Sequence, residues 1–202
     1  MVPLLAVLSC LQSVATAMDT TALDDRWMRD RWTREDGLPL NHVSGVAIDA
    51  EGIVWVSTFD GLARFDGVAF KVLRVDDPGG PPGDRVSDVA VHPTDGAVWV
   101  STVSGDARHL QRRTPTGTRT YSFETAEAGS PLLPFAGSLW TTVGRRLLRL
   151  DERPALVDTG DVSVVWAYAL PWGRLGISLE DLSGRELFSD GSLGPSPTSR
   201  PE

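Results

Sequence analysis

The stretch WTREDGLPLNHVSGVAIDAEGIVWVSTFDGLARFDGVAFKVL, residues 32–73, decides the fold of this chain. It holds four short runs rich in β-branched and aromatic residues, at 43–48, 53–58, 62–65 and 68–73. Turns that contain glycine separate the runs, at 49–52, 60–61 and 66–67. Asp-Gly pairs supply the positive φ angles that tight hairpins need. The stretch therefore predicts one four-stranded antiparallel sheet.

The same pattern returns later in the chain. AVWVST at 97–102 repeats IVWVST at 53–58, with Trp99 lying 44 residues after Trp55. RVSDVAV at 85–91 repeats HVSGVAI at 42–48 with an offset of 43, and Gly105 and Arg108 then match Gly61 and Arg64. A small sheet cannot bury both of its faces alone, so a repeat of this length predicts stacked blades of a β-propeller.

Two weaker copies follow. SLWTT at 138–142 places Trp140 41 residues after Trp99, and PLLPF at 131–135 is its predicted inner strand. The fourth copy comprises residues 162–170, 173–178 and 186–191, with Gly176 where the tryptophan is expected. We therefore expect an all-β chain, a β-propeller of about four four-stranded antiparallel blades that forms an incomplete or minimal ring.

The repeat boundaries predict the domain organisation. Residues 26–190 hold the propeller, divided into 26–73, 74–123, 124–158 and 159–190. Residues 26–33 are predicted to form a spare outer strand, and the fourth repeat lacks one. In a closed ring the strand at 26–33 would complete the fourth blade, and the sequence leaves open whether the two meet. The Ser/Pro-rich residues 191–202 are predicted to be a disordered tail.

The N-terminus resembles an export signal. The apolar run VPLLAVLSCLQSVATA ends in an Ala-x-Ala site, which predicts a signal peptide at 1–17 and a short leader at 18–25. A misassigned start codon or a buried strand is the alternative. Cys10 is the one cysteine, and its lipidation stays open. We expect a periplasmic or secreted protein with no membrane span beyond the signal peptide.

Charge limits the possible partners. The 202 residues carry a formal net charge of -8, and nucleic-acid binding requires clustered basic residues. We therefore expect no nucleic-acid partner. His42, His92 and His109 lack the spacing of metal ligands, and no catalytic motif appears. We predict no enzyme activity, no metal and no cofactor.

The first repeat resembles the two-component regulator propeller repeat. The motif is W-T-x-x-D-G-L-P-x-N-x-V followed by D-x-x-G-x-x-W-V-x-T-x-D-G-L-x-R-F-D-G, and good matching extends from Trp32 to about Leu110. The resemblance implies a periplasmic ligand-sensing module. Family members place such rings before an immunoglobulin-like domain, a transmembrane helix and a histidine kinase or diguanylate cyclase. We expect this chain to lack such an output domain.

Most motif residues are predicted to be structural: Trp32, Asp36, Gly37, Asn41, Trp55, Asp60, Gly61, Trp99, Gly105 and Trp140. Trp55, Trp99 and Trp140 are expected to pack blade against blade. Asp36 and Asn41 are expected to fix a loop through hydrogen bonds to the backbone. Arg64 and Arg108 are the candidate ligand contacts, because a guanidinium can hold an acidic group. A local bridge to a turn carboxylate such as Asp60 is the alternative for both.

Three hypotheses for function follow. The first is a propeller that binds an extracellular ligand or a partner protein. The second is a half-propeller that completes itself by self-association through exposed blade edges, or by docking on another protein. The third is a non-functional remnant of a longer sensor kinase.

Overall fold

The computed structural model of the chain describes residues 30–83, 85–125, 129, 131–159, 163–170, 173–180, 184–189 and 192–194. The chain divides into two units, Met1–Arg31 and Trp32–Glu202, and all the strands described lie in the second. The predicted signal peptide, the leader and residues 26–29 of the predicted outer strand lie outside the described residues. Residues 30–33, the described part of that predicted strand, are not in a strand.

Blade 1 is one antiparallel sheet of four consecutive strands: β1 (Val43–Ile48), β2 (Val54–Thr58), β3 (Gly61–Phe65) and β4 (Phe70–Leu73). Gly52 and Gly67 lie in the turns after β1 and β3, with φ angles of 81° and 95°. Nothing lies within 4 Å of where a Cβ would stand at either glycine. Glycine is needed at these turns for its backbone conformation rather than to make room.

Three more sheets follow in chain order. Blade 2 consists of β5 (Arg85–Val91), β6 (Val98–Ser104), β7 (Ala107–Thr114) and β8 (Gly117–Glu124). Blade 3 consists of β9 (Leu133–Phe135), β10 (Ser138–Val143), β11 (Arg146–Leu150) and β12 (Pro154–Leu156). Blade 4 has three strands among the described residues: β13 (Val164–Leu170), β14 (Arg174–Leu179) and β15 (Gly184–Leu187). These consecutive antiparallel sheets confirm the all-β prediction.

The start of the predicted tail differs from expectation. Leu193 pairs with Leu187 of β15, and the Phe188 amide donates a hydrogen bond of 2.9 Å to the Ser192 carbonyl. Leu193 also packs against the core of blade 4, which explains why this part of the chain turns back to the sheet. The prediction of a disordered tail from residue 191 is therefore wrong for residues 192–194. Residues 195–202 lie outside the described part.

The tryptophans of the repeat join each blade to the next. Trp55 packs with Val86 and Val89 of blade 2. Trp99, which is fully buried, packs with leucines of blade 3, and Trp140, 1% exposed, packs with residues of blade 4. Buried aromatic side chains contribute much of the stabilisation of a core. Blades 2, 3 and 4 thus each pack against the tryptophan of the blade before.

Blade 4 has no tryptophan at this position. Its large side chain lies on the opposite strand of the same cross-strand pair. In blades 1 and 2 the tryptophan lies opposite an alanine, Ala47 or Ala90. In blade 4 Gly176 lies opposite Tyr168, and a Cβ on Gly176 would stand 2.6 Å from the Tyr168 ring. The tyrosine ring therefore covers the place of the missing indole. The large side chain has moved from the second strand to the first.

Buried charges join blades 2 and 3. The Asp88 carboxylate accepts a 2.7 Å hydrogen bond from the Leu132 amide of blade 3. Arg108, 3% exposed, donates to Ser101 in its own blade and to the carbonyl of Thr142 in blade 3, at 3.1 and 2.6 Å. Burial lowers the pKa of Arg108 to about 10, against the attraction of Asp88. Burial also raises the pKa of Asp88, although two backbone hydrogen bonds and Arg108 oppose it.

A second polar contact between these blades surrounds His92, which is 4% exposed. Its Nδ1 lies 3.0 Å from the Asp95 carboxylate, and its Nε2 lies 3.5 Å from the Asp151 carboxylate of blade 3. Arg112 and Arg149 pair with these two carboxylates at 2.6 and 2.8 Å. Burial pushes the pKa of each carboxyl up, but hydrogen bonds and the neighbouring cations outweigh it and leave both below the ordinary value.

Replacement of Arg108 tests the buried charge network. Arg108→Ala should lower the free energy of unfolding by about 3–5 kcal/mol, because it leaves Asp88 buried without its cation. Arg119→Ala, an exposed arginine in the same blade, is the control and should change stability by less than about 0.5 kcal/mol. Urea unfolding followed by tryptophan fluorescence measures both. Equal losses for the two variants would contradict the network.

Acid should weaken the His92 contact. Because Asp95 and Asp151 have pKa values below the ordinary one, their contribution to stability is present above about pH 4 and is lost as the pH falls through the lower folded pKa. The double variant Asp95→Asn/Asp151→Asn should flatten this part of the stability profile. Urea midpoints measured across the acid range check the effect, with Asp106→Asn in an exposed turn as control. An unchanged profile in the double variant would rule the contact out as its source.

Candidate functional site

A groove of about 340 Å³ lies between blades 1 and 2, at the end of the sheets where the β1–β2, β5–β6 and β7–β8 turns are found. Its charged and aromatic lining residues are Asp49, Glu51, Trp55, Arg64, Asp95 and Arg113. Both signs of charge are therefore present in one concave surface. The repeat packing of the two blades brings these residues together from separate parts of the chain.

Asp49 shapes one wall of the groove. One of its carboxylate oxygens accepts hydrogen bonds from the Glu51 and Ile53 amides, both at 3.0 Å. The other accepts a 2.8 Å bond from the indole N–H of Trp55. Asp49 thus closes the β1–β2 turn and fixes the tryptophan ring with the same side chain. Its oxygens are already engaged by the protein, so Asp49 is a positioning residue here.

Arg113 enters the groove from blade 2. Its guanidinium carbon lies 5.4 Å from the centre of the Trp55 ring, which is a cation–π contact. The guanidinium also donates to the Gly79 carbonyl and to the Gln111 side chain, at 2.5 and 2.7 Å. Burial lowers the pKa of Arg113. These contacts hold the cation at the groove in a fixed position.

Arg64 approaches the groove from blade 1, where it pairs across the sheet with Trp55. It is partly exposed, and no hydrogen bond or ion pair joins its guanidinium to another residue of the described chain. The turn carboxylate Asp60 pairs instead with Arg74, at 3.3 Å. The predicted bridge from Arg64 to Asp60 is therefore not formed. Of the two candidate ligand contacts, Arg64 is the one that lines a groove.

Arg108 occupies a different structural position from Arg64. The strand register places Arg112, not Arg108, opposite Trp99, as Arg64 lies opposite Trp55. The β6–β7 hairpin is longer than the β2–β3 hairpin, so Gly105 lies in its turn whereas Gly61 already begins β3. Matching Arg108 to Arg64 by a constant offset was wrong for this reason. The burial of Arg108 argues against contact with a ligand.

A tryptophan–arginine pair recurs across the second and third strands of blades 1, 2 and 3. Trp140 lies opposite Arg149 in blade 3, and both Arg64 and Arg149 follow their tryptophan by nine residues. The sequence therefore held a signal for these arginines, which the longer hairpin of blade 2 hides. Arg113 had no such signal, because its contact with Trp55 is made between blades.

The loop before blade 1 contains the other motif residues. The Thr33 amide donates to the Asp36 carboxylate at 2.7 Å, and the Arg34 amide donates to the Asn41 side-chain oxygen at 2.8 Å. Gly37 follows with a φ of 108°. The Trp32 ring lies 5.2 Å from that of Phe65 in β3. These contacts anchor the loop to blade 1, and none of them lines the groove.

Two further features concern the described part of the chain. It contains no group of three or more His, Cys, Asp or Glu side chains arranged to hold a metal ion. It also contains no helix of the length and apolarity required to span a membrane.

Comparison with known proteins identifies the repeat. Residues 37–60 match the family model described as "Two component regulator propeller". No curated protein sequence matches the chain.

Solved structures share the fold. The extracellular domain of the hybrid two-component system BT3049 from B. thetaiotaomicron is 19% identical, with a TM-score of 0.57 over 84% of this chain and 26% of that one. That of BT4673 from the same organism is 18% identical, with a TM-score of 0.51 over 80% and 23%. The chain thus spans about a quarter of the length of these two neighbours.

A gluconolactonase, XC5397 from Xanthomonas campestris, is 16% identical, with a TM-score of 0.47 over 78% of this chain and 63% of that one. The fold and the matched repeat lead to a single identification. The chain has a β-propeller fold, and residues 37–60, in and before its first blade, match the two-component regulator propeller repeat.

Proposed function

We propose that this chain is a ligand-binding propeller of the sensor type, which acts outside the cytoplasm and holds a small anion in the groove between blades 1 and 2. The observation that carries the proposal is the Arg64 guanidinium, which lines the groove and is bonded to no other described residue. A guanidinium in this state has its donors available for a carboxylate or phosphate.

The surroundings of Arg64 support an anion rather than a cation. Arg113 places a second positive charge on the opposite wall, fixed by Trp55 and Gly79. The oxygens of Asp49 accept hydrogen bonds from Trp55 and from backbone amides, and Asp95 forms an ion pair with Arg112, so both carboxylates are already engaged by the protein. Two guanidinium groups facing one groove favour a ligand with at least one acidic group.

The role proposed is binding rather than catalysis. The similarity to extracellular domains of two-component systems supports this role and a periplasmic or secreted location. The chain covers about a quarter of those domains. Coupling of ligand binding to a signalling output is therefore part of the proposal. No cofactor is needed for a groove that acts through two guanidinium groups.

Calorimetric titration with galacturonate, citrate and inorganic phosphate tests the proposal, with galactose as the neutral partner of galacturonate. At least one anion should bind, and galactose should not. Arg64→Ala should weaken that binding by about tenfold to a hundredfold, because a hydrogen bond to a charged group contributes about 1.5–3 kcal/mol.

Arg146→Ala is the matched control, since Arg146 is an exposed arginine on β11, outside the groove. The affinity of the Arg146→Ala variant for the anion should equal that of the unchanged chain. Arg64→Lys should retain part of the affinity, because it keeps the charge but loses the paired donors. The absence of binding by every anion, or equal binding by the chain and Arg64→Ala, would overturn the assignment.

A further inference from the structure

One face of blade 1 is exposed at its first strand, β1, whereas Val56 of β2 on the same face is buried against Leu38 of the loop before blade 1. Val46 and Ile48 of β1 are 58% and 63% exposed. Their counterparts in blade 2, 43 residues later, are Val89 and Val91. Val89 is 3% exposed and Val91 packs on the same cluster, both against the tryptophan-bearing face of blade 1. In blade 2 this surface packs against the tryptophan-bearing face of the blade before, whereas in blade 1 it is exposed at β1.

Blade 4 exposes the complementary surface. Trp166 of β13 is 40% exposed, and it pairs with Ser178 on the same side of the sheet as Tyr168 and Gly176. The opposite side of the blade, with Ala167 and Ile177, is buried against Trp140 of blade 3. The exposed side corresponds to the tryptophan-bearing face of the earlier blades, which packs against the next blade.

Both halves of one blade–blade interface are thus exposed in the same chain. They do not cover each other, because Val46, Ile48 and Trp166 would be buried if they did. We propose that a second copy of this chain covers them: blade 4 of each copy packs against blade 1 of the other. The two copies would then form one closed ring of eight blades.

The symmetry of such a ring is permitted. A twofold axis makes the two junctions equivalent, and a heterologous contact that closes on itself gives a finite assembly. Eight blades lie within the range of known propellers, whereas four are the lower limit. The new junctions would continue the interface that already joins blades 1 and 2. This inference does not depend on the proposed anion site, which lies on the other side of blade 1.

Light scattering coupled to size-exclusion chromatography tests the ring with the full chain. The expected mass is about twice the 21.8 kDa of one copy. The double variant Val46→Asp/Ile48→Asp should raise the dissociation constant of the dimer by at least about a hundredfold, because it places charges in an apolar junction. Val68→Asp is the matched control: Val68 is 90% exposed in the β3–β4 turn and should leave the dimer unchanged.

A mixing experiment separates this arrangement from a symmetric contact of blade 1 with blade 1. Trp166→Asp should also be monomeric alone, since it changes the other half of the same junction. Mixed with Val46→Asp/Ile48→Asp, it should form a heterodimer through the one junction in which both faces are unchanged. Circular dichroism of each variant shows that its sheets are intact. A monomeric unchanged chain, or failure of two folded variants to associate on mixing, would overturn the proposal.

Discussion

The packing of one tryptophan against the next sheet is the interaction on which this structure depends. A twisted four-stranded sheet has two apolar faces and can bury them only against neighbours. Trp55, Trp99 and Trp140 provide that burial, each for the blade that follows. The groove between blades 1 and 2 exists only because these blades pack together.

The fold could be predicted from the sequence because its signals are local. Asp-Gly turns, alternating strands and the spacing from Trp55 to Trp99 lie within or between neighbouring elements, and all of them survive in the structure. Where the prediction failed, the cause was a change in local geometry that a constant offset cannot express. The longer β6–β7 hairpin moved the arginine opposite Trp99 from the expected position to Arg112.

The candidate site could be predicted only in part. Arg64 could be predicted because it belongs to a repeated strand. Arg113 of blade 2 contacts Trp55 of the neighbouring blade, and no arginine occupies its position in the other repeats. The role of Asp49 also depends on three dimensions, since its carboxylate joins a turn to an indole. Contacts between blades join residues that are far apart in sequence. The sequence repeat predicts that neighbouring blades touch, but it does not predict which side chains meet.

The pair Tyr168 and Gly176 has a consequence for how such repeats diverge. Blade 4 keeps one aromatic and one small residue in this cross-strand pair while exchanging which strand supplies the ring. Each substitution alone would leave either a void or a clash, so the two changes compensate each other. A propeller blade can therefore lose its most recognisable residue and keep its shape. A search for blades by the tryptophan of the second strand alone would therefore miss blade 4, because its aromatic ring lies on the first strand.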